Sequence, residues 1–190
     1  MSALTDAPRL DVADRATWRT WLEANHASAT GVWLVMDRKD ARATLYEMAV
    51  EEALCFGWID STARPVDDMR SMLYFAPRKS TSGWAATNKA RLERLIAAGR
   101  MAPAGLAAIE RAKANGTWEL LDSVERMESP VELTDALAAA GADAVANFAA
   151  WPPSIRKQAF AAIAQARRPE TRAQRIARIA DHAARNVRPF

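Results

Sequence analysis

The stretch Gly57-Trp58-Ile59-Asp60-Ser61-Thr62, then Pro65-Val66-Asp67-Asp68, then Met72-Leu73-Tyr74-Phe75 sets two β-rich segments around a turn-forming cluster. Pro and Asp favour a tight reversal, so this spacing predicts an antiparallel hairpin ended by Pro77. Just upstream, Ala49, Val50, Ala53, Leu54 and Phe56 supply the apolar side of a helix. Thr44 and Glu47 have the spacing of a capping box at its start, and Gly57 suits its end. Further upstream, Val32-Trp33-Leu34-Val35-Met36 reads as another strand. Asp14 is placed to cap a helix reaching about His26, with Trp18, Trp21 and Leu22 on one face.

Downstream the pattern turns helical. A third helix is expected from about Trp84 to Ala98, with Asn88, Leu92, Leu95 and Ile96 facing inward. Pro103 starts a fourth, which Asn115-Gly116 stops. The segment 118–128 carries no clear period. Short helices follow over 130–140 and 143–150, then one over about 155–166, and a last one started by Arg168-Pro169-Glu170. The expected fold is α+β: a small antiparallel sheet of about three strands packed on helices, followed by a helical C-terminal extension. The boundary is placed at residue 100, giving a body over 1–100 and a helical region over 101–190 that together form one compact unit.

The chain has 190 residues and a formal net charge of +3, and its 43 alanines account for much of its apolar content and favour helix. Residues 151–190 carry nine basic and two acidic residues, a net of +7, which leaves −4 for the rest. A single cysteine, Cys55, forms no internal disulfide and, in an apolar helix segment, reads as a small hydrophobe. No export segment and no membrane-length apolar run is seen, so the expected location is cytoplasmic.

No Gly-rich phosphate loop, nucleophile elbow or metal-ligand spacing occurs, so no catalytic residue, metal or cofactor is assigned. His26 falls at a helix end, where it can meet the last carbonyls, and His182 reads as a surface residue. The hairpin would bring Asp60 towards Arg78. With Trp58 and Trp84 as aromatic walls and Asn88 as donor and acceptor, these five residues form the candidate ligand-binding site. The competing reading is a structural ion pair and two core tryptophans. Trp18, Trp21 and Trp33 read as core outright. In the last helix Arg168, Arg175, Arg178 and Arg185 fall on one arc, opposite Ala173, Ile176, Ala180, Ala183 and Val187. Arg168, Arg172, Arg175 and Arg178 are therefore the candidate basic surface. This helix offers no aromatic side chain for base stacking, which argues against nucleic acid.

Several strings resemble the YdeI/OmdA-like family of bacterial proteins, named for bacteriocin protection and association with the porin OmpD. They are Gly31-Val32-Trp33-Leu34, Glu52-Ala53-Leu54-Cys55-Phe56-Gly57-Trp58-Ile59-Asp60-Ser61, Pro77-Arg78, Trp84 with Asn88, Gly99-Arg100-Met101 with Gly105, and Ala166 to Ile176. The resemblance implies an N-terminal part similar to YjbR/CyaY-like proteins and a helical OmdA-type region. It also implies a role in tolerance of bacteriocins or cationic antimicrobial peptides, and it carries over no catalytic residue. Ala85 stands where the family tends to have Ser, which removes a hydroxyl there. The missing export signal speaks against direct contact with an outer-membrane porin. The leading expectation is a non-enzymatic protein that binds a small anion or a protein partner. An enzyme acting on a small polar metabolite at the Asp60/Arg78 cluster, and nucleic-acid binding by the last helix, are the alternatives.

Overall fold

The computed structural model describes residues 6–12, 14–37 and 42–189. It divides into two compact units. The first comprises residues up to 81 and 87–115, and the second comprises 82–86 and 116 onwards.

The first unit holds a four-stranded sheet in the order β1-β2-β4-β3, formed by β1 (Arg9–Asp11), β2 (Val32–Asp37), β3 (Trp58–Pro65) and β4 (Arg70–Pro77). β3 and β4 form the expected antiparallel hairpin, and β2 adds antiparallel to β4. The short β1 is the strand the sequence did not announce; it pairs parallel to β2, with Arg9 opposite Trp33. The hairpin turn is fixed by Asp67, whose carboxylate accepts from the Met69 and Arg70 amides at 2.9 and 2.8 Å.

The apolar runs of β2 and β4 cover both faces of the sheet, as expected of strands without alternation. Leu34 pairs with Leu73 and Val32 with Phe75 on one face. Trp18 of α1 (Arg15–Asn25) meets Phe75 there at 5.5 Å between ring centroids. Trp33, Val35, Met72 and Tyr74 form a separate cluster on the other face, with the Arg64 guanidinium 5.0 Å from the Trp33 ring centroid. Asp14 caps α1 as its position predicts, accepting from the Thr17 amide at 2.8 Å. His26 closes the helix with its ring Nδ1 2.9 Å from the Leu22 carbonyl.

α2 (Arg42–Cys55) begins two residues before Thr44, so Thr44 is helical and no capping box forms there. Gly57 ends the helix with φ +74°, and a Cβ there would lie 3.0 Å from that of Ala108. α3 (Ala86–Ala97) buries Leu92 and Leu95, but Ile96, expected inside, is 49% exposed. Ile96 lies about 100° round the helix from Leu95, which turns it off the buried stripe. α4 (Pro103–Ala114) approaches α2 at backbone distance: a Cβ on Gly105 would stand 2.2 Å from the Cys55 carbonyl oxygen.

The second unit is helical: α5 (Asp122–Glu125), α6 (Val131–Ala140), α7 (Ala142–Ala150), α8 (Pro153–Ala164) and α9 (Pro169–Ala184). α8 and α9 start on proline, whose missing N–H costs nothing in a first turn. Leu133, Phe148, Trp151, Phe160, Ile163 and Ile179 anchor its core. Val187, read as lying on the covered side of the last helix, is 48% exposed, because α9 ends at Ala184 and the chain leaves the helix before it. Among the described residues no helix is long and apolar enough to cross a membrane.

Candidate functional site

Asp60 sits on β3 at a register shift. Asp60 faces Phe75 while Ala63 faces Leu73, so β3 carries one residue more than its partner between them. Such a bulge bends the strand and re-aims the neighbouring side chains. Tyr46 of α2 donates its hydroxyl to Asp60 Oδ2 at 3.3 Å. Arg78 follows β4, its amide held by the Gly57 carbonyl at 2.9 Å. Burial of the Arg78 guanidinium pulls its pKa down to about 10, against the pull of the nearby Asp60 charge. Arg78 therefore stays a cation at neutral pH, in surroundings poor in water.

Asn88 joins this group through Arg91. Arg91 donates Nη1 to Asn88 Oδ1 at 2.9 Å and grips Glu47 with Nε and Nη2 at 3.0 and 2.6 Å. Asp60 adds its charge to the field at Arg91. The result is a cluster of half-buried Glu47, Asp60, Arg78, Asn88 and Arg91 with Tyr46 at its exposed edge, all in the first unit.

Asp60 thus lies in the fields of Arg78 and Arg91, and Arg91 bonds to Asn88, while Trp58 lies in the core and Trp84 is assigned to the second unit. Trp58 is 1% exposed, donates its indole N–H to the His26 carbonyl at 3.2 Å and meets Trp21 edge-on at 5.7 Å. It is a core residue beneath the strand, with no surface to offer a ligand. Trp84 belongs to the second unit, where its ring lies 5.3 Å from that of Trp118. Tyr46 and Arg91 were not singled out from the sequence, and Glu47 was read only as a capping-box partner of Thr44. The available signal was Glu47 and Glu51 one turn apart on α2, and Arg91 and Arg94 one turn apart on α3. Arg94 bridges Glu47 and Glu51 at 3.3 and 3.5 Å.

The Glu47–Arg91 pair gives the cluster a pH dependence. The Arg91 hydrogen bonds hold the Glu47 carboxyl below the ordinary glutamate range, more than burial raises it. A depressed folded-state pKa means that the stabilisation is complete above the unfolded value and is lost as pH falls through the folded one. The pair is partly exposed, so its contribution is at most about 1 kcal/mol. Urea midpoints followed down through the carboxylate range should fall less steeply for Glu47→Gln than for the native chain; parallel profiles would contradict this.

A second ionic network lies in the same unit. Glu52 has no exposed surface, and Arg15, Arg19 and Arg100 all bond to its carboxylate. Cys55 is buried beside it; burial first, and then the Glu52 charge, push its thiol pKa up. A raised thiol is protonated and inert at neutral pH.

The basic residues of α9 are not equivalent. Arg168 is the exposed residue preceding the helix. Arg172 pairs with Glu132 at 2.9 Å, and Arg185 with Asp181. Arg175 and Arg178 donate to the carbonyls of Ala162 and Pro189.

Together these features define an α+β unit with a half-buried arginine–carboxylate cluster, joined to an all-helical unit. Comparison with known families follows the same division. Residues 10–108, more than half of the chain, match the model described as Domain of unknown function (DUF8412), and the chain belongs to that family. Residues 126–186 match the model described as Bacteriocin-protection, YdeI or OmpD-Associated, in agreement with the resemblance read from Ala166 to Ile176. The N-terminal match is to DUF8412 and not to a YjbR/CyaY-like model. No curated protein and no solved structure matches the chain.

Proposed function

We propose that this chain is a cytoplasmic, non-enzymatic binding protein that supports tolerance of bacteriocins or cationic antimicrobial peptides. Its first unit holds a small anion at Asp60, Arg78 and Asn88, with Tyr46 and Arg91 completing the site. The observation that carries this reading is the Arg78 guanidinium. It remains charged although largely desolvated, and such a cation attracts an anion far more strongly than one in water. Asp60 supplies a countercharge when no ligand is present, and the Tyr46 hydroxyl can turn from Asp60 to an incoming oxyanion. The Arg91–Asn88 bond keeps the far wall in place. The link to tolerance rests on the name of the family whose model matches the second unit.

The test is complementation of a deletion strain challenged with a cationic peptide. The native chain should restore survival, and the Asp60→Ala/Arg78→Ala double variant should not, at equal soluble abundance and with a native circular dichroism spectrum. Full rescue by the folded double variant would remove the site from the proposal. Failure of the native chain to rescue would remove the tolerance role itself.

A further inference from the structure

On α9, Arg172 and Arg185 each face a carboxylate, whereas the bonds of Arg175 and Arg178 go to backbone carbonyls. Arg175 and Arg178 are three residues apart on α9, so they share a helix face. Among the described residues each is held by a backbone carbonyl instead: Arg175 by Ala162 O, and Arg178 by Pro189 O at 3.1 Å. A carbonyl orients a guanidinium without cancelling its charge, and the rest of the five-donor fork stays available. Their neighbours Arg172 and Arg185 show the contrast, since each spends its charge on Glu132 or Asp181.

These two cations border a groove of about 570 Å³ between α8 and α9, within the second unit. Ala161, Ala162 and Ile179 give it apolar walls, Gln165 adds an amide beside the arginines, and among the described residues no acidic side chain lines it. The volume lies in the range of small-molecule sites. Two oriented guanidinium groups select a planar oxyanion and repel a cation. The apolar walls reward a hydrocarbon body, which inorganic anions lack. Among the described residues no aromatic side chain lines the groove.

We propose that the α8–α9 groove binds a small organic carboxylate with a short aliphatic body, the carboxylate on Arg175 and Arg178 and the chain against Ala161, Ala162 and Ile179. This site shares no residue with the Asp60–Arg78 cluster and stands or falls independently of it.

The experiment is amide NMR titration of the full chain with hexanoate, with hexanamide and inorganic phosphate as parallel arms. Hexanoate should shift the Ala161, Ala162 and Gln165 amides saturably. Hexanamide should leave them in place, and phosphate should bind about tenfold or more weakly than hexanoate, because it gains nothing from the apolar walls. Arg175→Gln/Arg178→Gln should weaken hexanoate by at least about tenfold while the circular dichroism spectrum stays native. Equal binding of the acid and the amide, phosphate binding as tight as hexanoate, or no saturable shift at millimolar hexanoate would each overturn the proposal. These arms use the native chain and keep the test decisive even if the double variant fails to fold.

Discussion

Replacing Glu52 by alanine is expected to destabilise the first unit by about 3–5 kcal/mol, the cost typical of removing one partner from a buried ion pair. The carboxylate has no exposed surface, and its two oxygens are shared among three guanidinium groups. Arg15 and Arg19 come from α1, Glu52 from α2 and Arg100 from the segment before α4, so one side chain ties three parts of the unit together. Taking it away leaves three positive charges converging on an empty space, with Glu51 and Glu23 left to offset them in part. Glu52→Gln keeps the volume but offers one accepting oxygen and turns an N–H towards an arginine, so it should fall between alanine and native. Arg15→Ala should cost far less, about 1 kcal/mol or under, because the Arg15 side chain is 40% exposed and Glu52 retains two partners. Urea unfolding followed by amide exchange in β2 and β4 would rank the three. An alanine variant as stable as native would show that the arginines satisfy one another through solvent, and the keystone role would be lost.

This network also shows where sequence reading stops. The hairpin, α1 with its Asp14 cap, and the proline-started helices were legible because each is fixed by local period and local chemistry. β1 was not: Arg9-Leu10-Asp11 has a single apolar residue, and only its pairing with β2 makes it a strand. Glu52 did leave a trace, since it lies on the helix face shared by Met48 and Cys55, where a buried carboxylate demands partners. Those partners stand 37, 33 and 48 residues away, and no spacing rule reaches them. The same holds for the candidate site. Asp60 and Arg78 are joined by a hairpin and could be paired on paper, whereas Tyr46 and Arg91 arrive from separate helices and needed the fold.

Trp58 divides the two readings of the site most sharply. As a binding wall it could be shortened with loss of ligand and little loss of stability. As the structure places it, Trp58→Ala should destabilise the first unit by about 3–5 kcal/mol, since a wholly buried indole leaves a cavity that its neighbours fill only in part. Two further losses add to the cavity: the edge-on contact with Trp21, and the bond from the indole N–H to the His26 carbonyl. His26 is half-buried, so water can reach the carbonyl and soften the second loss. Trp58→Phe separates the contributions, because it keeps a ring in the core and forfeits the donor; it should cost less than the alanine variant by the greater part of the cavity term. Asp60→Ala, two residues along the same strand, should lower stability less than either, because Asp60 is half-exposed and its hydrogen bond from Tyr46 is long at 3.3 Å. Urea midpoints of the three variants give the order directly. A Trp58→Ala midpoint equal to that of the native chain would mean that the ring is not packed as described, and would return Trp58 to the binding surface.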